Sequence, residues 1–227
     1  MGKSLTVAEM TVRQLVRRRG VLLLLLLLPL GFYVMRRDDS IGQSVRSLLL
    51  GIGWAVSVAA LFATTSAREM ETRLRLGGYR THHLYGGRML GIWLLGLPLA
   101  VPFLILLAVD MPTLRLGATA LALLTCVLVA APLGMLIGAL LSREMEGTLL
   151  LLTIVGVQMT MDPADSAARI APFWASREIT TYAVDHTDTG YLTRGLLHGA
   201  LFTVALVLLV ALISGIRLRT RRHVRFG

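Results

Sequence analysis

The chain has 227 residues, of which 55% are hydrophobic and only 16% charged, with a mean hydropathy of +0.71 and a formal charge of +10. A soluble domain of this size carries about 25% charged residues. Here the charges sit between apolar runs, which is the layout of a membrane protein, and the basic excess is accounted for by anionic lipid surfaces rather than by nucleic acid, since no basic stripe with interleaved aromatics occurs.

Two residue counts narrow the chemistry further. Lys3 is the only lysine and every other cation is arginine or histidine, a skew that points to a GC-rich bacterial genome. Cys126 is the only cysteine and lies inside an apolar run, so neither an intrachain disulfide nor a cysteine metal site can be built.

The first expected element covers residues 4–19. In "SLTVAEMTVRQLVRRRG", Leu5, Ala8, Val12, Leu15 and Val16 fall on one helical face, opposed by Glu9, Arg13 and Arg17. That pattern predicts an amphipathic helix lying on the cytoplasmic interface, opened by a Thr6-x-x-Glu9 capping box. The run after it resembles a signal peptide, but "RRDDS" follows with no small-residue cleavage site, so a retained anchor is expected.

Six apolar segments follow in order: Val21 to Met35, Ser47 to Thr65, Met89 to Val109, Leu116 to Leu141, Gly147 to Met161 and Leu196 to Ile216. A full crossing needs about 20 residues, so the first and fifth are the short ones. Counting Lys and Arg in the connections puts sixteen on the side of the N-terminus and seven on the other. The positive-inside rule then predicts six spans with both termini cytoplasmic. Small residues recur every four positions at Gly51, Ala55, Ala59 and Ala63, and again at Gly134, Gly138 and Ser142. Two readings stand for such stripes: close helix packing, or a substrate path.

Both copies of the tetrapeptide REME, Arg68 to Glu71 and Arg143 to Glu146, fall on the cytoplasmic side at the exits of spans two and four. The first opens residues 66–77, "SAREMETRLRLG", read as a short charged helix with a Ser66-x-x-Glu69 capping box and a Gly77-Gly78 stop. A simple turn would need only a few residues. The loop looks built to be gripped, although a plain charged helix stop is the competing reading. Residues 162–192 form a long external connection. There Ile170, Phe173, Trp174, Ile179 and Tyr182 either dip into the outer leaflet, with Pro163 and Pro172 as breaks, or form the aromatic belt of a solvated loop.

This all-α architecture, with an interfacial N-terminal helix, six spans and a charged helix between spans two and three, resembles a type-2 ABC exporter permease over the whole of residues 1–227, as a single permease domain. The patches that carry the resemblance most specifically are "SAREMETRLRLGGYRTHHLYGGRMLG" and "GMLIGALLSREMEGTLLLL". It implies that Glu69, Glu71 and Arg73 belong to a coupling helix docking on a separate ABC-type ATPase, with Glu144 and Glu146 in a second, smaller contact. It also implies a second permease copy, identical or not, a bacterial plasma-membrane location, and ATP and magnesium bound by the partner rather than by this chain.

Missing motifs agree with that division. "GKS" at Gly2 to Ser4 mimics the end of a P-loop without its glycine-rich turn. No span carries a charge near its centre, which disfavours an ion-driven carrier. Adjacent His82 and His83 lack the i, i+4 spacing of a zinc pair, and no metal or cofactor is expected in this chain. Gln158 and Thr160 are the polar residues of the fifth span, read either as contacts along a substrate path or as polar packing. The alternatives are a passive membrane scaffold, a haem-export-like permease and an intramembrane enzyme.

Overall fold

The computed structural model describes residues 2–37, 40–141, 143–161 and 166–220, with the side chains of residues 21, 24, 69 and 218–220 outside that description. Among the described residues the structure is all-α: α1 (Lys3–Arg17), α2 (Arg19–Met35), α3 (Ile41–Ser66), α4 (Arg68–Leu76), α5 (Thr81–Asp110), α6 (Leu116–Leu140), α7 (Glu144–Thr160), α8 (Trp174–Val184) and α9 (Thr189–Thr220), with a 3-10 turn at Ser166–Ile170.

Four helices are long and apolar enough to cross a membrane: Ile41–Ser66, Thr81–Asp110, Leu116–Leu140 and Thr189–Arg217. The chain is therefore a multi-pass membrane protein by length and composition. α2 and α7 have 17 residues each, about 26 Å against a hydrocarbon layer of about 30 Å. They are the two segments that the sequence marks as short.

Contacts sort the helix termini into two ends. One end gathers α1, α4, the ends of α3, α6 and α9, and the starts of α2, α5 and α7. Its ties include Arg18 to Ser66 at 3.0 Å, Arg68 to the Leu141 carbonyl at 2.6 Å and Thr65 to Glu144 at 2.8 Å. The opposite end joins the ends of α2 and α5, where the Asp110 carboxylate accepts from Tyr33 and Arg37. There too, Arg46 at the start of α3 donates to Thr181 in α8 at 2.9 Å. α2, α3, α5, α6, α7 and α9 thus run between the ends in alternation. Lys3 and Arg68, Arg73, Arg75, Arg80, Arg88, Arg143 and Arg217 all lie at the α4 end.

The core lies between α3 and α6, 83% and 72% buried over their apolar stretches, whereas α9 is 17% buried and faces outward. Small residues set this closeness. A Cβ on Gly134 would collide with the Ser57 carbonyl, and one on Gly138 would sit 3.0 Å from Thr64. Ser57 seals the crossing by donating to the Ala130 carbonyl at 3.0 Å. The Gly51 stripe does a different job: it beds α2, with Pro29 and Phe32 where a side chain would stand. Gly51, Gly134 and Gly138 are therefore used in packing, while Ser142 lies outside the described residues. Cys126 is enclosed between α6 and α3, its thiol 3.1 Å from the Leu49 carbonyl.

Two local expectations, both of helix caps, are corrected. α1 begins at Lys3, with the Gly2 carbonyl accepting the Leu5 and Thr6 amides, so Thr6 is inside the helix and no capping box forms there. It ends at Arg17, and the chain passes into α2 across Arg18 alone. α4 begins at Arg68 behind Ala67, and Ser66 closes α3 rather than capping α4. In the connection before α9, the described residues 166–184 are packed against the bundle. Phe173, Trp174 and Ile179 are buried, α8 lies against α6 and α9, and only Ile170 of the five apolar residues is largely exposed. Tyr182 stacks under Arg115, 4.3 Å from ring centre to guanidinium. Pro172 does separate the 3-10 turn from α8, while Pro163 lies outside the described residues.

Candidate functional site

The α4 end is the part of the molecule where the singled-out charges converge. α4 is nine residues long, too short to persist alone, and it is held from four sides. Its C-terminus closes in a Schellman motif: the Tyr79 amide bonds to the Leu74 carbonyl at 3.1 Å and the Gly78 amide to Arg75 at 3.0 Å. Gly78 takes φ +77°, the left-handed conformation that favours glycine. The Gly78 carbonyl in turn accepts from Lys3 Nζ at 2.8 Å, so the only lysine pins α1 to the end of α4.

The first REME copy faces inward at both of its described charges. Arg68 reaches across to the exposed carbonyls at the end of α6, at 2.5 Å from Gly138 and 2.6 Å from Leu141. Such groups have no partner within their own helix, and a guanidinium is well suited to them. Glu71 is 3% exposed. Its carboxylate accepts from Arg88 at 3.3 Å and from Arg217 at 2.6 and 2.8 Å. One acid therefore ties α4 to α5 and to α9, with two guanidiniums around it. Glu71 is not the exposed knob that a docking residue would be. The Glu69 side chain lies outside the described residues.

What α4 offers outward is Met70, Thr72, Arg73 and Leu76, with Leu76 87% exposed. The second REME copy stands beside it and is used differently. Glu144 accepts from Thr65 at 2.8 Å, linking the α6–α7 corner to the end of α3. Arg143 and Glu146 pair with each other at 3.3 Å on the surface, a contact worth about 0.2–1 kcal/mol. Arg73, Glu144 and Glu146 are thus at one end of the bundle, as the sequence suggests, and Glu71 is there as its internal bolt.

α1 lies along α5 rather than apart from the bundle. Val7, Ala8, Thr11 and Leu15 are buried against it. A Cβ on Gly87 would stand 2.5 Å from the Ser4 carbonyl, and one on Gly91 2.7 Å from that of Ala8. The Gly87-x-x-x-Gly91 groove straddles the expected start of the third span at Met89. It takes half of the expected apolar face, and Leu5 and Val16 remain exposed beside it. Glu9 and Arg13 form an ion pair at 2.5 Å on the far side, with Arg17 also exposed.

The two polar residues of α7 separate. Gln158 lines a cavity at the opposite end and accepts from the Phe173 amide at 3.3 Å. Thr160 is exposed and bonds back to the Val157 carbonyl at 3.0 Å. Among the described residues no group of three or more His, Cys, Asp and Glu converges as a metal site would require. The sequence matches no family model and no characterised protein.

Proposed function

We propose that this chain is the membrane-spanning permease subunit of an ATP-driven exporter, similar to the type-2 ABC permeases, and that α4 is the helix that takes the push of a separate ATPase. The observation that carries the reading is the two-sidedness of α4. Its inner side is bolted to α5, α6 and α9 through Glu71 and Arg68, while its outer side leaves Met70, Arg73 and Leu76 uncovered. Met70, Arg73 and Leu76 are the side chains that this end leaves open to a partner. Force applied there reaches three long helices through charge-assisted hydrogen bonds, which are shorter and stronger than neutral ones. The Glu144 and Glu146 corner adjoins it as the smaller contact.

In this reading α2 and α7 complete six spans, both termini are cytoplasmic, and two permease copies meet two ATPases in a bacterial plasma membrane. The chain contributes the path and no hydrolysis. Purified alone it should bind no ATP, and a P-loop ATPase should co-purify with it from its own host, identified by mass spectrometry. Changing Met70 and Leu76 together to Asp should abolish that association while membrane levels stay normal, because both side chains are exposed. Unchanged association would remove α4 from the interface.

Topology has its own test. Single cysteines in place of Leu76 and Asp188, both exposed, are expected to label from opposite sides of the membrane. Cys126 is fully buried and should stay silent. Labelling of both new thiols from one side would overturn the six-span arrangement.

A further inference from the structure

The turn from α4 into α5 presents consecutive backbone amides that need acceptors. Those of Gly77, Gly78 and Tyr79 bond back to α4, at the carbonyls of Arg73, Arg75 and Leu74. The next one, on Arg80, donates instead to Nδ1 of His83 at 3.2 Å, in the first turn of α5. A side chain that reaches back to the amide ahead of its own helix is one half of a capping box, a place usually taken by Glu or Gln. Glutamate keeps its acceptor down to about pH 4, whereas an imidazole changes charge between about pH 5 and 8. An Nδ1 that accepts a hydrogen bond carries no proton, so the contact requires the neutral ring.

The charges around that ring are cationic. Gly87, one turn further along α5, lies against Ser4 and Val7, so the His83 face of the helix meets the first turn of α1, where Lys3 is the charged group. Lys3 donates to the Gly78 carbonyl at 2.8 Å and stands 5.5 Å from the centre of the Tyr79 ring in the turn. On α5 itself the His82 ring centre is 4.1 Å away. His83 precedes the apolar stretch that begins at Met89. Partial burial, joined by the charges of His82, Lys3 and Arg80, holds its pKa below the usual histidine value. The contact therefore contributes stability in full above about pH 6.5, the ordinary value of an unfolded chain. That stability is lost as the pH falls below it, through the lower folded value.

We propose that His83 is an acid-sensitive clasp at the α4–α5 corner, holding the Arg80 amide when neutral and releasing it when protonated. On protonation Nδ1 turns from acceptor to donor and faces another N–H, and a new positive charge joins those of Lys3 and Arg80. Both changes act on the turn that Lys3 ties to α1 through Gly78. The C-terminal turn of α4 and the start of α5 then loosen together. A weaker transmission from an ATPase at acid pH rests on the permease reading; the clasp itself does not.

The test is hydrogen–deuterium exchange of the purified full chain in lipid nanodiscs, without any ATPase, at about pH 7.5 and about pH 5, on either side of the ordinary histidine value. Exchange times are scaled for the intrinsic pH dependence of amides, and the segment 77–84 is read against a peptide from α6. The wild-type segment should exchange about fivefold faster at the lower pH, the loss of one helix cap. His83→Gln keeps an uncharged acceptor and should be protected at both values. His83→Lys, a permanent cation with no acceptor, should exchange fast at both. His82→Gln should leave the wild-type response in place. Equal protection of the wild type at the two pH values would overturn the proposal. A response that persists in His83→Gln would overturn it too, by assigning the effect to another group. So would a His83→Lys segment as protected at about pH 7.5 as its parent. Because no ATPase is present, each result stands whether or not the chain proves to be a permease.

Discussion

Replacing Glu71 with glutamine is expected to lower the stability of the chain by about 3–5 kcal/mol, the cost of removing one partner from a buried ion pair. The change keeps the shape of the side chain and removes only its charge. Arg88 is 4% exposed and stands 3.3 Å from the lost carboxylate. It would be left as an uncompensated cation, with Arg217 released beside it. Thermal unfolding of the detergent-solubilised protein should shift down by roughly 10 °C, and Thr72→Gln, on the exposed side of α4, should leave it unchanged. The pair Glu71→Leu with Arg88→Met should be milder than Glu71→Leu alone, since a buried ion pair replaced by apolar groups is often close to neutral. An E71Q protein as stable as its parent that no longer retains the proposed ATPase partner would make Glu71 a docking residue of that proposed contact. A charge reversal at Glu71 could not make this distinction, because it would break the internal bolt whatever the outer face does.

Gly134→Val should be as damaging through a wholly different route. The Cβ would collide with the Ser57 carbonyl where α3 and α6 cross, with the short Ala60 side chain beside it. Overpacking in a tight core costs about 1–3 kcal/mol, occasionally more, and here no flexible side chain can move aside. Loss of the folded fraction on size exclusion is the expected readout. Gly156 supplies the control, because nothing lies within 4 Å of its would-be Cβ. Gly156→Ala should be neutral or stabilising by up to about 1 kcal/mol, from helix propensity alone. Equal damage at both positions would show that loss of flexibility, not helix contact, is what matters.

These two sites differ in how far the sequence announces them. The spans are legible because lipid imposes apolarity over a known length, and the small-residue stripe around Gly134 repeats at the helical period. α4 is legible as a helix from its charges and its Gly77-Gly78 stop. The inward turn of Glu71 is not, since its partners lie 17 and 146 residues away and a charged helix reads as a solvated one. One signal was available. Arg88 opens one span and Arg217 closes another at the same side of the membrane, and cations at that depth call for a shared acid. Gly87 and Gly91 escaped for a related reason: the groove they make has meaning only once α1 is known to lie in it.

The long reach of Arg217 also orders events during synthesis. A chain emerging from the ribosome makes α4 early and can join Glu71 to Arg88 as soon as α5 is inserted. The second guanidinium arrives only with the end of α9, after α1 to α8 have been made. Closure of the three-residue cluster therefore reports that α9 is in place. A chain halted before the end of α9 holds Glu71 by Arg88 alone, and the Arg217 contact tells the longer chain apart from it.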